Sequence, residues 1–246
     1  MAKKPQTNAN TTAPPNPWLN ISWKDTIADC DKGIIYPLYC AKKGIDIFKL
    51  PEPFAGNVEA NVYLLNENPG NTHDNSFFGG DKNFEKVIRE NLRHKHNDFF
   101  WLRPILTCKN RVMHSGSIYW QDLTEQLRKA VGSDMLNIFD LEFFPYHSKS
   151  AFSFPLLPSD EYRNYLLCQA MKDGKLIVIM RGASKWFGIE DKGVCGNPLG
   201  QMLRNYPNKI ILKNLRNPTL SPNNMSSSDW SKLVAALQNG NSKQYP

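Results

Sequence analysis

The chain has 246 residues, enough for one large domain or two small ones, and 41% hydrophobic with 22% charged residues is the composition of an ordinary globular protein. Its 30 Lys and Arg exceed its 23 Asp and Glu by seven, and this net charge of +7 favours an acidic partner such as nucleic acid. No apolar run approaches the ~18 residues that span a bilayer, and the polar N-terminus lacks a signal-peptide core. We therefore expect a cytoplasmic protein without a membrane partner.

The cysteines and histidines give no pattern of metal ligation. Five cysteines are present and none forms a C-x-x-C pair, which favours reduced thiols over a zinc ribbon or an iron–sulfur cluster. His94 and His96 have no third ligand near them in the sequence. G-x-G-x-x-G and G-K-[ST] phosphate loops are also missing, and we expect neither a metal nor a cofactor. We further expect a monomer.

The first and last residues of the chain are poor in apolar side chains. Residues 1–17 consist largely of Asn, Thr, Pro and Ala, which predicts a disordered leader, and 239–246 predict a frayed tail. Aromatic and aliphatic residues broken by prolines over 18–54 favour short helices and extended connections. The interpretation is a single domain over 18–238.

Short apolar runs alternate with helical patterns along the rest of the chain. Buried strands are expected at 61–65, 135–139, 175–180 and 209–212. Helices are expected at 83–96, 118–131 and 160–171, and after Ser228. Strands separated by helices need crossover connections, so the pattern predicts a three-layer α/β/α fold with a mainly parallel four-stranded sheet.

Ligands of open α/β sheets collect where the parallel strands end, so the segments after the strands are the places to seek chemistry. These segments are 66–70, 142–150, 181–186 and 214–222. Residues 64–70 read L-L-N-E-N-P-G, residues 217–219 read N-P-T, and the third strand ends in a Gly followed by a helical pattern. In a parallel sheet all four segments are expected at one edge.

These motifs resemble those of the uracil-DNA glycosylase superfamily. The L-L-N-E-N-P-G segment is similar to the family's water-positioning motif in its G-I-N-P-G form, and N-P-T is similar to a degenerate H-P-S loop. The resemblance extends over roughly residues 62–237 and is greatest to the thymine- and mismatch-specific branch. It implies that branch's fold and a DNA glycosylase activity without a metal or a cofactor.

Two residues are catalytic by this resemblance. Asn68 falls where the family holds the attacking water; an amide accepts one water proton and orients the oxygen but cannot act as a base, which implies slow catalysis dominated by positioning. Asn217 replaces the family's His that donates to the departing base, and an amide donates more weakly. An ordinary N-P-G turn and an ordinary loop Asn are the alternatives.

Other residues would form the base pocket. Gly70 stands where uracil-specific members have a Tyr that closes the C5 side of the pyrimidine, so substituents on C5 should be admitted; a glycine needed for backbone geometry is the alternative. Glu142 occupies the base-reading position, and an ionised Glu matches the amino group of cytosine and opposes O4 of uracil, whereas a protonated Glu reads either. Phe77, Phe78 or Phe144 would stack on the base.

Further residues at the strand ends are candidates for contact with DNA. They are His147, Ser148, Lys149, Arg181, Lys185, Thr219, Leu220 and Ser221. Leu220 is the apolar candidate to fill the gap left by an extruded nucleotide. Solvated loop charges and, for Leu220, a simple loop anchor are the alternatives.

Together these residues predict a monofunctional DNA glycosylase that extrudes a non-standard pyrimidine, a C5-modified cytosine, and leaves an abasic site without nicking. Because normal cytosine fills a host genome, such an enzyme must require the modification, which suits antiviral defence against modified phage DNA. Two alternatives stay open: a uracil or mismatch repair glycosylase, and a catalytically inactive DNA-binding module of the same fold.

Overall fold

The computed structural model describes residues 13–22, 24–70, 82–103, 115–148, 153–191 and 196–241. The strands are β1 (Phe54–Gly56), β2 (Val62–Asn66), β3 (Ile138–Glu142), β4 (Leu176–Ile179) and β5 (Lys209–Ile211). The helices are α1 (Lys32–Cys40), α2 (Lys82–Leu92), α3 (Ser115–Val131), α4 (Asp160–Lys172), α5 (Ala183–Phe187), α6 (Leu199–Asn205) and α7 (Ser227–Asn241). Short 3₁₀ turns occupy Asp29–Asp31, Phe100–Leu102 and Pro222–Asn224.

The strands form one sheet in the order β1-β3-β2-β4-β5. β3, β2, β4 and β5 run parallel, and β1 pairs antiparallel with β3 at one edge. The predicted α/β class with a mainly parallel sheet is confirmed, but the predicted number of four strands is wrong. The fifth strand, β1, is only three residues long, too short for an alternating pattern to reveal it.

Helices cover both faces of the sheet, because the chain reverses direction across it. The connection from β2 to β3 runs one way and the connection from β3 to β4 runs back over β2, so right-handed crossovers place α3 and α4 on opposite faces. The contacts agree, since α3 packs on α7 and α4 on α6. Both faces of β2, β3 and β4 are buried, which explains their continuous apolar runs.

The register of β2 against β3 determines which side chains meet at the strand ends. Asn66, the last residue of β2, lies directly opposite Glu142, the last residue of β3, and Leu64 lies opposite Asp140. Since side chains two residues apart on a strand share a face, Asp140 and Glu142 project to the same side of the sheet. Two acidic groups and one amide are thereby collected at one place.

The cysteines differ in part from the expectation of reduced thiols. Cys168 in α4 is disulfide-bonded, whereas Cys30 and Cys40 are free and exposed. An odd total still leaves cysteines that can pair, and pairing depends on proximity in the fold, which spacing along the chain does not report. The expectation is therefore corrected for Cys168.

The segment expected as a disordered leader is described from residue 13 onward. Within it, the amide of Asn16 donates to the carbonyl oxygen of Leu92 at 2.8 Å and accepts from the backbone N–H of Trp18 at 3.0 Å. Trp18 is buried. Among the helices in the described ranges, none combines the length and the apolar character needed to cross a membrane.

Candidate functional site

A cavity of about 180 Å³ opens at the carboxyl ends of β2, β3 and β4. The parallel strand order reverses here, because β3 and β4 lie on opposite sides of β2, and such a switch point is the usual ligand site of an open α/β sheet. We call it the strand-exit cavity. It is lined by Glu52, Asn66, Asn68, Pro69, Gly70, Trp101, Ser115, Gly116, Tyr119, Trp120, Asp140, Glu142, His147 and Arg181.

Five of the residues singled out in the sequence line this one cavity. They are Asn68, Gly70, Glu142, His147 and Arg181. They come from three strand exits that are far apart in the sequence, and the parallel topology brings the exits together. In the part of the chain that the structure describes, no group of three or more His, Cys, Asp or Glu side chains is arranged to hold a metal ion.

The loop after β2 holds Asn68 in one orientation. Its amide nitrogen donates to the carbonyl oxygen of Pro69 and to Oγ of Ser148, both at 3.0 Å. Ser148 also forms a β-bridge with Gly70, so the loops after β2 and β3 are tied together. Since both amide hydrogens are used within the protein, the group that Asn68 offers to a ligand or water is its carbonyl oxygen.

His147 is hydrogen-bonded to the same loop. Its Nδ1 lies 2.7 Å from the carbonyl oxygen of Gly70, and its Nε2 lies 3.0 Å from that of Leu50 and 3.2 Å from Oε1 of Glu52. Burial lowers the pKa of His147, but the hydrogen bond to Glu52 and the charge of that carboxylate outweigh burial and raise it. His147 and Ser148 are buried, so their expected role as phosphate contacts is wrong: they hold the Asn68 loop.

Asp140 and Glu142 form a buried acidic pair. Burial raises the pKa of Asp140 to about 8, although a 2.7 Å hydrogen bond from the Asn66 amide opposes the rise. Burial and the neighbouring Asp140 raise the pKa of Glu142 well above its usual range. This shift favours the protonated form of Glu142, which both donates and accepts, so it supports the alternative in which Glu142 reads either base.

Gly70 has open space in front of it. Among the described residues, a Cβ built at Gly70 meets no atom within 4 Å, and Gly70 is not among the glycines with positive φ. The backbone here does not require glycine, so the alternative explanation of this residue is not supported. Gly182 is the contrasting case: its φ is +63°, and a Cβ there would lie 3.3 Å from Cβ of Glu67.

Arg181 is the cationic side chain of the cavity. Its guanidinium lies 6.0 Å from the ring centre of Tyr119, a cation–π distance, and its backbone N–H donates to the carbonyl oxygen of Leu65 at 3.2 Å. Lys185, one turn further along, lies outside the cavity lining and pairs with Glu67 at 3.3 Å. Arg181 thus carries the positive charge at this exit.

The aromatic wall of the cavity differs from the one expected. Phe144 is buried away from the cavity and stacks on Phe154, with ring centres 4.4 Å apart, so its role as a base-stacking residue is wrong. Trp101, Tyr119 and Trp120 line the cavity instead. These three come from the 3₁₀ turn and α3, which the order of motifs did not point to. Phe77, Phe78 and Lys149 lie outside the described residues.

The loop after β5 does not join the cavity lining. Asn217 is exposed, and its backbone N–H donates to the side chain of Asn214 at 3.1 Å. Leu220 is fully buried and its N–H donates to Leu123 at 2.9 Å, so the proposed insertion into DNA is wrong and Leu220 is a loop anchor. Ser221 is buried and lies 3.4 Å from Thr219, oxygen to oxygen, which removes it from contact with phosphate.

Two polar residues of the cavity were given no functional role by the sequence. Asn66 and Asp140 are buried in the cavity floor and hydrogen-bonded to each other. A carboxylate in the middle of an otherwise apolar strand is a signal that the sequence does carry, because such a group is rarely buried without a partner or a function. The sequence placed Asn66 only as the first residue of the segment after the first predicted strand.

Comparison of the chain with protein-family models, with curated proteins and with solved structures gives no match.

Proposed function

We propose that the chain is a DNA glycosylase that extrudes a C5-modified pyrimidine, a modified cytosine in the first instance, and hydrolyses its N-glycosidic bond. One observation carries the proposal: Asn68, Gly70 and Glu142, to which the family resemblance gives the water, C5 and base-edge roles, line the same cavity. An apolar cavity of about 150 Å³ holds benzene, so about 180 Å³ suits one pyrimidine ring.

Hydrolysis assigns a task to each group. Water held by Oδ1 of Asn68 attacks C1′, the bond from C1′ to the ring nitrogen breaks, and the base departs with the bonding electron pair. A proton from the protonated Asp140–Glu142 pair can neutralise that base, and the attacking water gives up its own proton to solvent. No Lys is described in the cavity lining, so the product is an abasic site and the strand stays intact.

The surface beside the cavity supplies groups for the DNA backbone. Lys213 and Arg216 belong to the loop after β5, and Nη2 of Arg181 approaches the carbonyl oxygen of Arg216 at 3.5 Å. Such cations neutralise phosphates without reading sequence. Asn217 belongs with these loop residues and not with catalysis. We expect a monomer that acts in the cytoplasm on foreign DNA.

The space at Gly70 supports a substituent on C5. In this arrangement a bulky group on the pyrimidine would lie beside Gly70, where a larger side chain would exclude it. Normal cytosine lacks that group and gains no contact from the open space. Selectivity for modified DNA would then depend on the C5 substituent filling this space. For a small apolar group, such filling discriminates between modified and normal cytosine by ~1–3 kcal/mol.

Mass spectrometry of released bases tests the proposal. Matched duplexes carry uracil, a thymine mismatch, cytosine or a C5-modified cytosine, and the Asn68→Ala variant is the control for contaminating glycosylases. Release of the modified cytosine alone is the expected result. Release of uracil or mismatched thymine would identify a repair glycosylase, and DNA binding without any release would identify an inactive module; either result overturns the proposal as stated.

A further inference from the structure

Three buried polar atoms without a partner meet at the strand-exit cavity. In the described part of the chain, five buried side-chain nitrogen or oxygen atoms lack a hydrogen-bond partner. Three of them, Oδ1 of Asn66, Oε2 of Glu142 and Nε of Arg181, belong to cavity-lining residues. A buried polar atom without a partner destabilises the fold, so three at one cavity indicate groups that a ligand completes.

The hydrogen bonds of Asn66 fix which atom it offers. Its Nδ2 donates to Oδ1 of Asp140 at 2.7 Å and contacts the sulfur of Met180 at 4.0 Å. In this orientation Nδ2 is engaged by Asp140 and Oδ1 is the atom without a partner. Asn66 is only 4% exposed. It therefore presents an acceptor to the cavity and requires a donor in return.

The strand order brings the three residues to the cavity from neighbouring strands. β3, β2 and β4 are adjacent; Glu142 ends β3, Asn66 lies opposite it at the end of β2, and Arg181 follows β4 by two residues and lines the same cavity. Neighbouring strands lie ~4.8 Å apart, which is the scale of one edge of a pyrimidine ring. A guanidinium nitrogen can only donate, so Arg181 requires an acceptor.

We propose that Asn66 and Arg181 read the base: Oδ1 of Asn66 accepts from an N–H of the ligand, and Nε of Arg181 donates to the carbonyl oxygen or ring nitrogen beside it. This rests on the proposed function only in taking the ligand to be a pyrimidine. The shared chemistry is an N–H next to an acceptor. The amino group of a cytosine and the imide N–H of a uracil both supply it, with Glu142 as the third contact.

Arg181 also lies where negative charge would develop. As the bond to C1′ breaks, electrons pass into the ring and its carbonyl oxygen, the atom that Arg181 would contact. The family resemblance gave this task to the position of Asn217, which is exposed and outside the cavity lining. Arg181 takes over that task because its guanidinium is already at the cavity.

Binding of free bases to the full chain tests, independently of catalysis, whether Asn66 and Arg181 recognise the base. Calorimetry compares the 1-methyl derivatives of 5-hydroxymethylcytosine and 5-hydroxymethyluracil, in which the glycosidic nitrogen carries no hydrogen, with their N4,N4-dimethyl and N3-methyl forms, which also lack the amino or the imide N–H. We expect methylation of the better-bound base to weaken binding at least ~10-fold, as for one lost buried hydrogen bond. The better-bound parent identifies the amino or the imide source.

Variants distinguish a loss of base contacts at Asn66 and Arg181 from a general loss of folding. Asn66→Ala and Arg181→Gln should each weaken binding of the parent base at least ~10-fold, and Arg181→Lys should do the same because it keeps the charge but lacks Nε. Asn205→Ala, an exposed residue at the end of α6, is the matched control and should bind normally. Melting temperatures identify misfolded variants, and Arg181, which is only partly buried, keeps the test valid if Asn66→Ala unfolds.

Three outcomes would overturn the proposal that Asn66 and Arg181 read the base: no binding of any base, methylated bases that bind as well as their parents, or unchanged binding in folded Arg181→Gln. Failure of the proposed function is a separate result. A chain that binds bases through Asn66 and Arg181 but releases none from DNA retains the reading and loses the glycosylase activity.

Discussion

Asn68 is oriented by hydrogen bonds to Pro69 and Ser148, so its expected contribution to catalysis is to position a water and not to bind DNA. Asn68→Ala should lower the single-turnover rate of base release at least ~100-fold, because lost positioning raises the barrier by several kcal/mol. DNA affinity, measured by fluorescence anisotropy, should stay unchanged.

Ser148→Ala is the companion variant for this prediction. It leaves Asn68 in place but removes one acceptor of its amide, so a smaller loss of rate is expected. A wild-type rate in Asn68→Ala would rule out the water-positioning role.

Gly70 offers a direct test of the space beside the base. Its backbone does not adopt a positive φ, and a Cβ at this position would have no atom of the described residues within 4 Å, so Gly70→Tyr should fold with a wild-type melting temperature. Release of C5-substituted bases should fall more than release of any unsubstituted base that is accepted. Rates on two matched oligonucleotides measure the ratio, and an equal loss on both would mean that Gly70 does not select at C5.

The raised pKa of Asp140 predicts how stability depends on pH. A carboxyl group whose folded pKa of about 8 lies above its unfolded value binds its proton more tightly when folded, so its contribution is complete below about pH 4 and is lost as the pH rises to about 8. The slope is at most about 1.4 kcal/mol per pH unit. Asp140→Asn keeps an acceptor for Asn66 and should flatten this decline in urea unfolding followed between pH 4 and pH 8; an unchanged slope would contradict the assignment.

Helix α4 fixes the loop after β3 through Arg163, which is buried and makes an ion pair with Asp160 at 2.8 Å. The guanidinium of Arg163 donates to the carbonyl oxygen of Phe143 and lies 4.4 Å from the centre of the Phe143 ring. Arg163→Met should therefore destabilise the fold by about 3 kcal/mol in urea unfolding, since Asp160 is left buried without its partner.

The double variant Arg163→Met, Asp160→Leu should recover part of that loss, because no charge remains unpaired. Lys172→Met, at the exposed end of the same helix, is the control and should be nearly neutral. Equal stability of wild type and Arg163→Met would show that α4 does not support this loop.

Helices and strands whose apolar residues recur at regular spacing could be predicted, whereas the bounds of elements that contain charged residues or proline could not. The second apolar run predicts a strand at 135–139, whereas β3 runs over Ile138–Glu142, because its pairing continues through Asp140 and Glu142, which an apolar pattern leaves out. Helix α1 contains Pro37, and for 18–54 the sequence predicted short helices and extended connections but no helix bounds.

The residues of the candidate site likewise fall into those that could be predicted from the sequence and those that could not. Asn68, Gly70 and Glu142 stand at strand exits and could be found from motifs. Asn66 and Trp101 could not, because their place in the cavity depends on strand register and on a packed turn, and neither leaves a local pattern in the sequence.

At the scale of the whole molecule, the net charge of +7 predicts DNA binding that weakens steeply with salt. Replacing both Lys213 and Arg216 with Gln should reduce the slope of log K against log salt by about 2, equally for all sequences. Lys172→Gln, at the exposed end of α4 before β4 begins and so at the opposite end of the strands, should leave the slope unchanged. Anisotropy titrations at several salt concentrations measure it, and an unchanged slope in the double variant would place the DNA elsewhere.

Strand β1 contributes no acidic residue, yet it influences the strength of two acids. Its pairing with β3, continued by the hydrogen bond from the N–H of Glu142 to Pro53, turns what would be the outer edge of the sheet into an interior strand. Water is thereby kept from one side of the Asp140–Glu142 pair, which helps both groups to keep their protons. Displacing this three-residue covering would make the pair more acidic without altering either carboxyl group, so proton affinity here is a property of strand neighbours as much as of the residues that titrate.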